Sequence, residues 1–231
     1  MTRRFIVVAV GLMLCIGAGF QVVSTYAQST GPALPGQGSL TSTYRIVNAN
    51  PAAPAVLPQI DSVTSTKIVT PVDYTNKPVS GYDSVVGAAA PGASHTVSLL
   101  DASTNAPYGN PLNFNFVAQE DYTFALMPDN SWVTLTDAKV MPPSGMVSVR
   151  FVNLTNDPAA LSLRINGSIP SGMSGIVAKG ESAYVNLPVG NYPVELLNGS
   201  TVIYTLPHPN PYPFAAYHVY TIFALGSAGA E

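Results

Sequence analysis

The sequence predicts an all-β fold of two antiparallel β-sandwiches in series, and three observations carry that reading. One passage occurs twice: Tyr44 to Val56 reads YRIVNANPAAPAV, and Val149 to Leu161 reads VRFVNLTNDPAAL. Short β-prone runs are punctuated by Asn, Gly and Pro about every 8–12 residues, the spacing of a sandwich. No segment carries the roughly 3.6-residue apolar period of a capped helix. With 47% hydrophobic residues the chain has material for a core, although only 9% of it is charged, against about a quarter in an ordinary soluble domain.

The elements follow in chain order. Residues 1–27 have Arg3 and Arg4, an apolar run from Phe5 to Val23, and the small-residue pattern Thr25-Tyr26-Ala27 before Gln28. This is the order of a secretory signal peptide, and it predicts export to the periplasm or cell surface. The run is also long enough for an uncleaved membrane anchor. Cys15 reads as an ordinary residue of that run, because Leu14 is a poor neighbour for a lipidated cysteine. Loss of the leader removes the single cysteine, so the mature fold holds no disulfide, thiol nucleophile or thiolate metal site. It leaves 7 basic residues against 12 acidic ones, a net −5. Nothing there attracts nucleic acid or anionic lipid, so no nucleic-acid partner is expected.

Residues 28–43 (QSTGPALPGQGSLTST) have linker composition. The first sandwich is expected over 44–142 and the second over 143–231. Each opens on a strand with one Arg among alternating apolar residues, Arg45 in the first and Arg150 in the second, and stops in an Asn/Pro turn. Two later blocks match as well: HTVSLLDAST (95–104) with YPVELLNGST (192–201), and YTFAL (122–126) with TIFAL (221–225). Asn166-Gly167 and Asn198-Gly199 predict hairpins, because both central residues of a type I′ turn need φ > 0. The last run, YHVYTIFAL, has no breaker and predicts a central strand. DNSWVTLTDAKVMPPSG reads as the joining segment, with Trp132 either an interdomain or surface anchor or a core residue of the first domain.

These blocks resemble a family of secreted bacterial proteins of unknown function. Its members open on a pattern like R-V-x-[HN]-A-S-P-D-A-P-A-V and close on a Y-T-V-x-A-x-G strand. The first copy keeps Arg45, Val47, Asn48, Ala49, Pro51, Ala53, Pro54, Ala55 and Val56, with Ala52 in the usual place of Asp. The second keeps Arg150, Val152, Asn153, Asp157 and Ala160, with Asn156 and Ala159 replacing the prolines. The resemblance covers most of residues 44–226 and implies tandem immunoglobulin-like sandwiches. The VRFVN opening and LPVGNYPVEL also resemble the AlgF family of alginate O-acetylation accessory proteins. That likeness implies a periplasmic, non-catalytic adaptor of an exopolysaccharide-modifying complex.

The residues offer little catalytic chemistry. Ser171 to Gly175 (SGMSG) is not a nucleophile elbow and sits in a hairpin loop. His95, His208 and His218 are scattered, so neither a metal site nor a catalytic base is expected, and no cofactor. Glu120-Asp121 reads as a solvated turn, and Asp129 and Asp137 fall on the joining segment. The sequons at Asn153, Asn166 and Asn198 carry little weight in a bacterial export pathway. LPHPNPYPFAAY (206–217) is the most distinctive stretch. As a stiff Pro-rich rod it would project His208, Tyr212 and Phe214 toward a protein or glycan; as an edge-protecting connection it would bind nothing. The expectation is a non-enzymatic exported binding or scaffold protein, with Trp132, His208, Tyr212 and Phe214 as its candidate contacts. An O-acetylation adaptor is the alternative. A hydrolase or transferase would require a histidine within about 3 Å of a carboxylate in a cleft.

Overall fold

Every regular element among the described residues is a strand. A computed structural model of the chain describes residues 6–10, 42–70, 83–84, 94–138, 141–156, 158–206 and 211–226. The chain divides into two compact units, Thr25–Lys139 and Val140–Glu231, the latter together with Met1–Ser24. Strand β1 is Ile6–Val10. The first unit holds β2 (Thr43–Asn48), β3 (Val56–Ile60), β4 (Val63–Thr64), β5 (Asp83–Ser84), β6 (Ser94–Asp101), β7 (Pro107–Asn115), β8 (Asp121–Leu126) and β9 (Trp132–Asp137). They form two sheets, in the orders β5-β2-β8-β9 and β4-β3-β6-β7.

The second unit holds β10 (Met146–Thr155), β11 (Leu161–Ile165), β12 (Val185–Pro188), β13 (Gly190–Tyr192), β14 (Val194–Asn198), β15 (Thr201–Thr205), β16 (Tyr212–Phe214) and β17 (Val219–Gly226). Its sheets run β1-β17-β10-β12, β11-β14-β15 and β13-β16. The segment read as a linker around Trp132 therefore contains a strand, β9. Alternation explains it: Trp132, Thr134 and Thr136 point one way and Val133, Leu135 and Asp137 the other, the last three buried.

Register shows how literal the repeat is. Arg45 pairs with Thr123 across β2 and β8, and Arg150 with Thr221 across β10 and β17. Val56 lies opposite Asp101, and Leu161 opposite Asn198. The closing strands thus match as Tyr122-Thr123 with Tyr220-Thr221, one residue earlier than YTFAL and TIFAL suggest as text. Both opening strands run parallel to their closing strands, a departure from the antiparallel rule. A hairpin forces antiparallel neighbours, but strands from opposite ends of a domain are under no such constraint.

The turns divide similarly. Asn166 and Gly167 both have positive φ (52° and 76°), the type I′ geometry expected. At the second Asn-Gly only Gly199 does (59°), because Asn198 still pairs with Thr201. An unpredicted turn of the same kind joins β3 and β4 at Asp61 and Ser62 (45° and 72°).

Each unit has its own core. In the first, Tyr44, Ile46, Val56, Leu99, Phe116, Tyr122, Phe124 and Leu126 are buried together. In the second, Val149, Phe151, Leu161, Leu163, Leu196, Tyr212, Phe214, Tyr220 and Ile222 are. The two cores share a tyrosine corner: the Tyr122 hydroxyl accepts the Val117 N–H and the Tyr220 hydroxyl the Ala215 N–H, each 3.1 Å and five residues upstream. Gln119 (φ 67°) and Tyr217 (φ 62°) occupy matching left-handed positions in the connecting turns. Tyr122→Phe and Tyr220→Phe are each expected to cost about 1 kcal/mol, the net worth of one such bond, in chemical denaturation. Equal stability of the phenylalanine variants would show that the corner is not a stabilising contact.

Candidate functional site

The arginines of the two opening strands are directed inward. Arg45 is one residue out of phase with the core-facing Tyr44 and Ile46, yet it is 4% exposed. Its Nε donates to Thr123 Oγ1 (2.7 Å), which donates to Asp137 Oδ2 (2.6 Å); its Nη2 lies 3.5 Å from Asp137 Oδ1. A hydroxyl can accept and donate at once, so Thr123 links cation to anion. Asp137 is therefore a buried partner of the opening strand rather than part of a linker.

The second unit repeats the device with a different anion. Arg150, 1% exposed, donates through Nε to Thr221 Oγ1 (3.1 Å) and through Nη1 to Glu181 Oε2 (2.8 Å). Its guanidinium carbon lies 4.8 Å from the centre of the Tyr184 ring, a cation–π distance. The first carboxylate comes from β9, beyond the closing strand. The second comes from the segment on the other flank of β10, where Glu181 bridges to Val152. Sequence reasoning found the two arginines and missed both carboxylates and both threonines. The two Arg–Thr pairs are 78 and 71 residues apart, so spacing carried no signal; the Tyr-Thr dipeptide shared by the closing strands, Tyr122-Thr123 and Tyr220-Thr221, was the one available.

His95 does meet a carboxylate. Its Nδ1 lies 2.5 Å from Asp61 Oδ2, while Asp61 Oδ1 accepts the Thr96 N–H at 2.8 Å. That backbone hydrogen bond, more than the histidine, holds the Asp61 carboxyl below its ordinary value. The ring stands edge-on to Phe116 (5.5 Å, 70°) and the residue is 6% exposed. Asp61 is the hydrogen-bond partner of the His95 ring among the described residues. The pair thus has a base and an orienting acid, the ring buried against Phe116 and the Asp61 side chain exposed, with no hydroxyl hydrogen-bonded to the ring among the described residues. His218 donates its Nδ1–H to the Ala216 carbonyl (2.7 Å) and stacks on Tyr220.

The candidate contacts fare unequally. Trp132 is half-buried at the start of β9, packs against the first core and donates its indole N–H to the Asn110 carbonyl (2.8 Å). His208 lies outside the described residues, as do residues 1–5 and 11–41 of the leader and linker and Asp157. Tyr212 and Phe214 do not project from a rod: they are core residues, 5% and 2% exposed. Tyr-Pro-Phe forms the short strand β16, which puts both rings on one face and leaves Pro213 outside. They also occupy the places of Phe114 and Phe116. Phe114, Phe116 and Tyr122 meet at 4.9–5.5 Å; Tyr212, Phe214 and Tyr220 meet at 5.1–6.1 Å. The Pro-rich segment is thus a fourth repeated block, disguised by its prolines.

Burial raises the Tyr212 phenol far above its ordinary 10.0 and raises that of Tyr220 as well. A group whose folded pKa exceeds its unfolded one stabilises fully below the unfolded value and loses that contribution as pH rises above it. The second unit should hold to about pH 10 and then unfold as these phenols ionise, with tyrosinate absorbance and loss of β circular dichroism rising together. Ionisation of all twelve tyrosines without unfolding would contradict the burial.

Among the described residues no group of three or more His, Cys, Asp or Glu is placed to hold a metal, and no helix is long and apolar enough to cross a membrane. No family model matches the chain, and no curated protein is significantly similar to it.

Proposed function

We propose that this protein is a non-enzymatic, exported binding or scaffold module of the cell envelope, two immunoglobulin-like sandwiches in tandem that contact protein or polysaccharide. The observation that carries this reading is the doubled Arg–Thr–carboxylate cluster: in both copies the buried arginine of the opening strand serves the sandwich itself. The leader composition of residues 1–27 supports export. The test is in-cell crosslinking of the tagged chain, with fractionation and identification of partners by mass spectrometry. Recovery from the envelope fraction with a reproducible protein or glycan partner is expected; a cytoplasmic chain would refute the reading.

A second reading is an adaptor for exopolysaccharide O-acetylation, favoured by VRFVN and LPVGNYPVEL, which form β10 and the β12–β14 region. Its distinguishing result is co-purification of a membrane acetyltransferase. An enzymatic reading would rest on His95 and Asp61, and His95→Gln abolishing a measured hydrolytic or transfer activity would establish it.

A further inference from the structure

The two copies differ at one edge. In the first unit β8 lies between β2 and β9, and β9 is the next strand in the chain. In the second unit the counterpart of β8 is β17, flanked by β10 on the matching side. Nothing after β17 in the described residues supplies a ninth-strand equivalent. Its place is filled from the far end of the sequence by β1, antiparallel, with Ile6 opposite Leu225 and Val10 opposite Thr221. The direction is that of β9, where Trp132 lies opposite Leu126 and Asp137 opposite Asp121. The second sandwich completes its closing sheet with a strand that belongs to the export leader.

We propose that the outer edge of β17 is a strand-acceptor site, which in the exported chain takes an extended, uncharged, β-branched segment of a partner protein, antiparallel to Thr221–Leu225. This rests on the export reading above, since loss of the leader takes β1 with it. An open edge of a strand as apolar as Thr221-Ile222-Phe223-Ala224-Leu225 is a template for further pairing and calls for cover. The chemistry of the occupant is given by the segment seated there: Ile-Val-Val-Ala-Val, five residues without charge, proline or glycine. Backbone hydrogen bonds supply the affinity in such strand addition, and β-branched residues suit the extended backbone. The occupant is a loose strand, since β1 pairs with β17 alone. In a second mature copy every other described strand already belongs to a sheet of its own unit. A partner protein is therefore the source.

The test uses the full chain with Val7→Pro and Val8→Pro together. Of two consecutive strand residues one turns its N–H to the neighbour, so the pair removes β1 from the edge without touching the sandwich strands. Hydrogen exchange at those amides of Thr221–Leu225 that face β1 is expected to quicken by about tenfold or more. A lysine-flanked synthetic peptide carrying IVVAV should restore protection in the variant and leave the wild-type chain unchanged; the same peptide with prolines at its second and third apolar positions should do nothing. If β11 and β14 also lose protection, the peptide must restore them too. Unchanged exchange in the variant, no recovery with peptide, or a variant that dimerises in sedimentation by pairing β17 with β17 would each overturn the proposal. The pull-down reads location and partners in cells, whereas the peptide reads only the edge of the purified chain, so failure of one is distinct from failure of the other.

Discussion

Replacing Arg45 by Met should destabilise the first unit by about 3–5 kcal/mol, the cost of stripping a buried carboxylate of its cation. The side chains of Arg45 and Asp137 are each 5% exposed, so water cannot take over when the guanidinium goes. Thr123 would still donate to Asp137, but a neutral hydrogen bond does not offset the lost charge. The matching change in the second unit should be milder. Arg150 is as deeply buried, but the side chain of its partner Glu181 is 41% exposed and can rehydrate. Arg150→Met is expected to cost about 1–3 kcal/mol, from the Thr221 bond and the Tyr184 contact. Combining Arg45→Met with Asp137→Leu should recover much of the loss, because well-packed apolar residues often replace a buried ion pair without penalty. Urea unfolding followed by the fluorescence of Trp132, the single tryptophan and a neighbour of the first core, measures the first unit directly. An Arg45→Met chain as stable as the parent, or an Arg150→Met chain more damaged than it, would show that exposure of the anion does not set the cost.

What the sequence made legible was local. The doubled opening strand could be read because one Arg among alternating apolar residues, closed by Asn and Pro, is a pattern of adjacent residues. Asn166-Gly167 was legible for the same reason, as a turn whose two residues must both take positive φ. The parallel pairing of opening and closing strands was not, because nothing local specifies which distant strand becomes a neighbour. Asp137 was hidden by the same difficulty: its partner lies 92 residues away, and without that partner a charged residue after a tryptophan resembles a linker. His95 and Asp61 meet across neighbouring strands of one sheet only because a tight turn tips Asp61 back toward β6.

The burial of Tyr212 and Phe214 was hidden for a more instructive reason. Proline at every second position suggests polyproline geometry, yet alternate prolines also fit a short strand at the margin of a sheet, where a missing N–H faces outward. The aromatic spacing decides the matter. Tyr212 and Phe214 stand ten and eight residues from the Ile222 that mirrors Phe124, as Phe114 and Phe116 stand from Phe124 itself. Comparing the copies ring by ring would have put these side chains in the core.

Phe214→Ala turns that placement into a measurement. If Phe214 were a stacking platform for a glycan or a partner, truncation would leave stability unchanged and weaken binding. The structure gives it 2% exposure and ring contacts to Tyr212 and Tyr220, each with centroids 5.1 Å apart. Removing a ring so enclosed costs about 3–5 kcal/mol, part lost transfer energy and part cavity. Phe116→Ala, at the matching position of the first unit and 4% exposed, should cost a similar amount. Pro213→Ser, on the outward face of the same strand, should stay within about 0.5 kcal/mol of the parent. The second unit is read by hydrogen exchange at the amides of Val149 to Phe151 and of Ile222, which lie in the central pair of its closing sheet. Faster exchange there in Phe214→Ala, with Pro213→Ser unchanged, is the result that burial requires. A stable Phe214→Ala chain with reduced partner capture would return the ring to the surface and the Pro-rich segment to a binding role.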